Sequence, residues 1–243
     1  MRPTIRFAAA FALLLVMLTT LASGFPTDVK ASDARTDERE FLILGFGDSL
    51  MAGYGLPAKD GFTSRLEEAL RRDGYSVRVI NAGVSGETTS GGRARLAWTL
   101  AGLPRAPDLL ILELGANDAI RGIDPAIVRD NLSAIVSELQ KRDIPVLLTG
   151  MRAPPSLGPD YVRRFEAIYP DLARRFRLCF DPFFLVDVAA RPELNQADRI
   201  HPNRDGVARI VARLAPLVES ALAGRCPALP SPAVGTANES HGG

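Results

Sequence analysis

The chain predicts an α/β fold: a parallel β-sheet covered by helices on both faces. Two observations point there. Short apolar runs recur along the sequence without the polar alternation of a one-sided sheet, as strands buried on both faces require. Between them lie segments whose apolar residues repeat at helical spacing. Strands and helices that alternate in this way build a parallel sheet with right-handed crossovers.

The elements read off in order. Phe41 to Gly45 is the first strand. Phe62, Leu66, Ala69 and Leu70 then recur at helical spacing, and Ser76 to Ile80 is the second strand. A helical stretch covers Gly91–Leu100, and Leu109 to Leu114 is the third strand. Asp124 caps the next helix with Pro125 at its first position. The apolar stripe of that helix is Val128, Leu132, Ile135, Val136 and Leu139. Ile144 to Thr149 is the fourth strand. Asp160 to Phe176 is helical, with a kink or interruption expected at Pro170. Leu178 to Phe180 is a short fifth strand. Val207, Ile210, Val211, Leu214, Leu217 and Val218 line the last helix. Residues 40–223 hold all of these elements, a length that buries one full core.

The ends read differently. Arg2 and Arg6 precede an unbroken apolar run from Phe7 to Leu18, and Ala22, Ser23 and Gly24 follow. That order is a secretory signal peptide, expected to span residues 1–24 and to direct the chain to the periplasm or outside the cell. The run is too short for a membrane-spanning helix, so no stable span is expected after cleavage. Residues 25–39 form a polar leader, and residues 224–243 a proline-rich, disordered tail. Export makes a disulfide between Cys179 and Cys226 possible. It equally allows a buried Cys179 beside a free Cys226. Lysine and arginine total 29 against 28 aspartate and glutamate, so no basic field invites nucleic acid. The arginine pairs Arg71–Arg72 and Arg174–Arg175 read as solvated helix faces.

In a parallel sheet, ligands sit beyond the carboxyl ends of the strands. Four chemistry-bearing segments fall there: Gly47-Asp48-Ser49-Leu50, Asn81-Ala82-Gly83, Gly115-Ala116-Asn117-Asp118, and Asp198-Arg199-Ile200-His201 before the last helix. A serine hydroxyl is a poor nucleophile until a base takes its proton. Of the two histidines, His241 lies in the tail, leaving His201 as the imidazole of the folded body. Asp198, three residues earlier, is placed to hold Nδ1 of His201. The oxyanion of an acyl-transfer intermediate needs aimed donors. The Ser49 and Gly83 backbone N–H groups and the Asn117 side-chain amide are the candidates. Asp48 and Asp118 read as turn or cap residues. Gly53-Tyr-Gly55-Leu-Pro-Ala58 matches a dinucleotide fingerprint only formally, since it does not join a strand to a helix. No Gly-x-Ser-x-Gly elbow is present.

With these residues in this order, the chain resembles the SGNH hydrolases, or GDSL esterase/lipase family, over about residues 41–222. The name-giving residues fall on Ser49, Gly83, Asn117 and His201, and Asp198 matches the acid of the final Asp-x-x-His block. Glu113-Leu-Gly-Ala-Asn-Asp118, Ala167-Ile-Tyr-Pro170, Pro182-Phe-Phe184 and Ile200-His-Pro-Asn-Arg-Asp205 look like the bacterial thioesterase I, lysophospholipase L1 and arylesterase branch. The resemblance implies a three-layer α/β/α, flavodoxin-like fold with five parallel strands. It also implies no metal or other cofactor, and small acyl esters, thioesters or lysophospholipids as substrates. A carbohydrate O-acetyl esterase is the alternative on the same fold, and an exported binding protein without activity is a third reading. Met51, Leu56 and Leu157, with the proline-rich Met151–Tyr161 segment, are expected to border an acyl chain.

Overall fold

A computed structural model describes residues 39–227. The expected signal peptide, almost all of the leader, and the tail beyond Pro227 lie outside the described residues. Within them, β1 (Phe41–Gly47), β2 (Val77–Gly83), β3 (Leu109–Glu113), β4 (Val146–Thr149) and β5 (Cys179–Asp181) form one parallel sheet in the order β2-β1-β3-β4-β5.

The helices are α1 (Ser49–Ala52), α2 (Phe62–Arg72), α3 (Thr89–Ala101), α4 (Ala116–Ile120), α5 (Pro125–Lys141), α6 (Pro159–Glu166), α7 (Ile168–Phe176) and α8 (Arg204–Leu222). Helix α2 packs on α8, whereas α3 packs on α5 and α5 on α7. The two groups cover opposite faces. A Cβ at Gly45 would meet Thr63 of α2, while the next side chain along β1, Phe46, faces Gly92 of α3. The core between the layers is aliphatic, with Ile43, Leu44, Leu110, Ile111, Leu112, Leu147 and Leu148 fully buried in the three central strands. From β1 the chain winds outward to β2 and then returns past β1 to β3. The crevice between the carboxyl ends of β1 and β3 is therefore the topological switch point, where this architecture opens to a ligand.

The structure differs from the sequence reading at several boundaries. Strands β1 and β2 each run on to a glycine, Gly47 opposite Gly83. Asn81-Ala82-Gly83 thus ends β2 rather than following it. The apolar run stops earlier, but the parallel ladder continues because it needs only backbone groups. The break between α6 and α7 lies at Ala167, not at Pro170. Pro170 occupies the first turn of α7, where a missing N–H costs no intrahelical bond.

Cys179 and Cys226 are paired, with Cα atoms 4.9 Å apart and a sequence separation of 47. The bond ties the residues after α8 to the first residue of β5, at the edge of the sheet remote from the strand carboxyl ends. Closing a loop of this length restricts the unfolded chain, and the entropic model puts the stabilisation at roughly 4 kcal/mol. Cys226→Ser should therefore lower the unfolding free energy by about 2–4 kcal/mol in urea titrations. The same loss should appear in the wild type under reducing conditions and be absent when the variant is reduced.

Candidate active site

The local fold around Ser49 follows from two small residues and one cap. Gly47 ends β1 where a Cβ would meet the Glu113 carbonyl oxygen at 2.5 Å and Met51 Cβ at 2.8 Å, so only glycine lets the chain turn this sharply. Asp48 caps α1, its Oδ1 accepting from Leu50 N at 3.0 Å. Gly53, at φ 77°, closes the helix in the left-handed region. Ser49 is the first residue of this single turn, so its own N–H has no intrahelical acceptor.

His201 is delivered by a separate loop. An isolated antiparallel bridge between Asn195 and Pro202 closes it, and Gln196 N donates to the His201 carbonyl at 2.8 Å. Asn203 caps α8 directly afterwards, its Oδ1 accepting from Asp205 N and Gly206 N. Within the loop, Asp198 Oδ1 accepts from Ile200 N at 2.9 Å and His201 N at 3.0 Å, and its Oδ2 lies 2.7 Å from His201 Nδ1. His201 Nε2 lies 2.8 Å from Ser49 Oγ. The backbone N–H of Ile200 and the His201 contact hold the Asp198 carboxyl down at about 2, so it is ionised at neutral pH. An ionised carboxylate only accepts. The His201 proton therefore sits on Nδ1, and Nε2 is free to accept from the serine.

Asn117 is the second residue of α4. Its Nδ2 donates to Asp48 Oδ2 at 3.1 Å. Asp118 beside it is buried and accepts from Thr89 N at 2.8 Å and Thr89 Oγ1 at 2.7 Å, which fastens α4 to the start of α3. Gly83 is close by but differently engaged. Its N–H donates to Asn81 Oδ1 at 2.9 Å. A Cβ there would lie 2.2 Å from Ala52 N, so the glycine is required by the approach of the α1 backbone. The backbone donor that the sequence assigns to the oxyanion is thus occupied by a neighbouring side chain.

Three residues of this region have no role assigned to them from the sequence. Tyr54 lays its ring on the His201 imidazole, with centroids 4.6 Å apart. Gln196 Nε2 donates to the Tyr54 carbonyl at 2.7 Å and to the Pro202 carbonyl at 3.0 Å, tying the histidine loop to the turn after α1. Glu113, read as the penultimate residue of an apolar strand, is fully buried beneath Asp48, and its Oε2 accepts from Asp48 N at 3.2 Å. Burial raises both carboxyls. Asp48 is pushed up to about 6, and Glu113 is held well above the ordinary carboxylate range, with the Asp48 charge as a second cause.

A cavity of about 280 Å³ opens beside Ser49, Asn117 and His201, walled by Leu50, Tyr54, Ile120, Leu185 and Ile200. The lining differs from the sequence expectation. Met51 is buried under β1, Leu56 lines a narrower recess on the other side of His201, and Leu157 and its proline-rich segment are not part of the wall. Successive side chains of a helical turn point about 100° apart, and here Leu50 rather than Met51 reaches the opening. Two larger clefts, around Arg39 and Tyr75 and below Cys179, contain none of the catalytic candidates. Among the described residues no group of three or more His, Cys, Asp and Glu side chains is arranged to hold a metal ion.

A serine, an imidazole and a carboxylate in one hydrogen-bonded chain, at the switch point of a 2-1-3-4-5 sheet, are the parts of an acyl-transfer site. The model of the GDSL-like lipase/acylhydrolase family matches residues 46–209. The chain belongs to this family. Esterase TesA of Pseudomonas aeruginosa is 36% identical over 180 residues, covering 74% of this chain and 89% of that protein. The thioesterase 1/protease 1/lysophospholipase L1 of Escherichia coli K12 is 36% identical over 163 residues, covering 67% and 76%. The crystal structure of AlinE4, an SGNH-hydrolase family esterase, superposes with a TM-score of 0.64 at 50% identity, over 78% of this chain and 98% of that one.

The depressed Asp198 fixes the sign of its linkage to stability. Its contribution is complete above the unfolded value of 3.8 and disappears as the pH falls through about 2. The difference in unfolding free energy between wild type and Asp198→Asn should therefore be constant above about pH 5 and shrink toward zero near pH 2. Acid titration of the Asp198 carboxyl carbon by NMR should give a midpoint close to 2.

Proposed function

We propose that this family member hydrolyses carboxylic esters and thioesters through an acyl-enzyme on Ser49. The observation that carries the reading is the unbroken hydrogen-bonded chain from Asp198 through His201 to Ser49. Ser49 Oγ attacks the acyl carbon while His201 Nε2 takes its proton, and Asp198 holds the imidazole and offsets the charge it gains. The tetrahedral oxyanion is met by the Ser49 N–H and the Asn117 amide, joined by the Gly83 N–H once the Asn81 side chain releases it. The intermediate collapses, His201 passes its proton to the leaving alcohol or thiol, and the acyl group stays on Ser49. A water activated by the same imidazole then attacks the acyl carbon, and the carboxylic acid leaves as the Ser49 hydroxyl is restored.

The cavity favours an acyl chain longer than acetyl. Its wall is almost entirely aliphatic and aromatic, without the array of hydrogen-bonding side chains that a sugar ring requires. The site also lies open, with Tyr54, Ile120 and Ile200 more than half exposed along its rim. A flexible lipid or a small aryl ester fits such a surface better than a substrate needing full enclosure. The chain acts after export, in the periplasm or outside the cell. The charged start, apolar run and small residues of its N-terminus support this, and so does the Cys179–Cys226 disulfide, a bond that persists in oxidising compartments. No helix among the described residues is long and apolar enough to cross a membrane.

Purified protein should hydrolyse p-nitrophenyl acyl esters and acyl thioesters, and Ser49→Ala should reduce both rates to background while the thermal midpoint stays that of the wild type. Hydrolysis by the alanine variant at the wild-type rate would rule the mechanism out. Ile120→Asp, at an exposed wall position, should lower kcat/KM for octanoyl esters by roughly tenfold or more through lost apolar contact. It should leave acetyl esters within about twofold, since these do not reach the wall. A selective loss on acetyl esters would favour the O-acetyl esterase instead.

A further inference from the structure

Beneath the nucleophile the mechanism leaves two buried acids without an assigned task. Asp48 and Glu113 are both fully buried. Glu113 Oε2 accepts from the Asp48 backbone N–H at 3.2 Å, which brings the two acids together, and among the described residues no lysine or arginine pairs with either. Glu113 Oε1 is buried with no donor. Two carboxylates in contact, out of water and without a cation, cannot both be ionised. The distribution of donors decides which one keeps the charge. Asp48 accepts from Leu50 N at 3.0 Å and from Asn117 Nδ2 at 3.1 Å, and each of these bonds favours its ionised form. Glu113 receives one longer bond, from Asp48 N at 3.2 Å, and a weaker approach from the Met51 backbone N–H.

The Asn117 amide has a difficulty of its own. Its oxygen and its NH2 are nearly the same shape, and the backbone around it admits either orientation. One orientation offers an N–H to the crevice, and the other offers a lone pair that would repel an oxyanion. An ionised carboxylate can only accept, so Asp48 selects the orientation with nitrogen toward itself. The second hydrogen of Nδ2 is then left over for the substrate.

We propose that Asp48 and Glu113 are positioning residues: Glu113 stays a neutral acid that donates its proton to Asp48, and the charge thereby kept on Asp48 locks the Asn117 amide with an N–H toward the oxyanion. This rests on the hydrolase reading above and adds two residues to it. Neither acid touches the substrate. Of the groups around the pair, His201 is a further titratable one that Asp48 feels across the crevice, and Tyr169 feels the charges of both acids from α7.

The chemistry of an Asp48→Asn variant makes the test sharp. The cap on α1 needs an oxygen facing Leu50 N, so the new amide nitrogen must face Asn117. That reverses the Asn117 amide and turns its oxygen to the crevice. In Asp48→Asn, kcat for p-nitrophenyl esters should fall about 10²-fold, the cost of losing one oxyanion donor, with KM within about threefold. Its thermal midpoint at pH 8 should be no lower than that of the wild type, because a buried charge has been removed and the cap retained. Glu113→Leu should also lower kcat, and Glu113→Gln, which supplies a neutral donor of the same length, should rescue most of it. Infrared spectra supply a readout independent of turnover. The wild type at pH 8 should carry a protonated-carboxyl C=O band that is absent from Glu113→Gln. Identical carboxyl bands in the two proteins, or wild-type kcat in Asp48→Asn, would overturn the proposal. Absence of ester hydrolysis by the wild type would instead overturn the hydrolase reading, while the infrared comparison would still decide the protonation of Glu113.

Discussion

The close approach of α1 to the ends of β1 and β2 is the constraint on which the rest of the site depends. Gly45, Gly47 and Gly83 line that contact, and a Cβ at any of them would collide with Met51, Thr63, Glu113 or Ala52. With the three Cβ atoms absent, a four-residue helix folds directly back over the sheet. That puts Ser49 above the crevice between β1 and β3 rather than at the end of a long loop. Arg95 strengthens the same edge from below. Its guanidinium stacks on Phe46 at 3.9 Å and donates to the Gly47 and Ala82 carbonyls, while Glu87 neutralises it. The Gly47 carbonyl, which also accepts from Val84 N, and the Ala82 carbonyl at the end of β2 thus share one side-chain donor.

The two halves of the Ser49–His201–Asp198 hydrogen-bonded chain then meet across 152 positions of sequence because each is anchored locally. Ser49 is anchored by the α1 cap, and His201 by the Asn195–Pro202 bridge and the cap on α8. Gln196 joins the two anchors through the Tyr54 carbonyl, so the histidine loop is registered against the Ser49 turn rather than merely near it. Tyr54 shields one face of the imidazole. An exposed loop anchored at three points can hold a hydrogen bond of catalytic length without burying the acid, and Asp198 remains over a third exposed.

Much of this was legible in the sequence. The five strands and the longer helices, though not the short α1 and α4, followed from apolar periodicity, since a strand buried on both faces and an amphipathic helix have different repeats. The pairing of Ser49, Asp198 and His201 followed from residue types placed after strands, and the structure brings those three within hydrogen-bond distance. What escaped has identifiable causes. The last residues of β1 and β2 are small and polar, so hydropathy is silent where backbone pairing continues. Pro170 was read as an interruption because its position within a helix turn depends on where the preceding helix ends. Glu113 was counted among its apolar neighbours, and only three-dimensional proximity reveals that it sits under Asp48. The occupation of the Gly83 N–H by Asn81 and the replacement of Met51 by Leu50 at the wall are questions of side-chain direction, which one-dimensional spacing does not carry.

The choice of donors explains why such a site needs buried acids at all. A backbone N–H has one orientation once the chain is folded, and Ser49 supplies one at no further expense. Helix α1 is a single turn, however, and the terminal N–H of β2 is held by Asn81 until the side chain releases it, so at least one further donor must be a side chain. A side-chain amide brings rotational freedom and a wrong orientation almost equal in energy to the right one. Only an acceptor that cannot donate separates the two, and a carboxylate is the strongest such acceptor in a protein. Placing that carboxylate beside the oxyanion site carries an electrostatic penalty. The Asn117 amide lies between the two negative centres, with its N–H groups directed at both, and a neutral Glu113 on the far side draws the Asp48 charge toward the sheet. The buried pair is therefore the consequence of recruiting an amide where the resting backbone offers too few free donors.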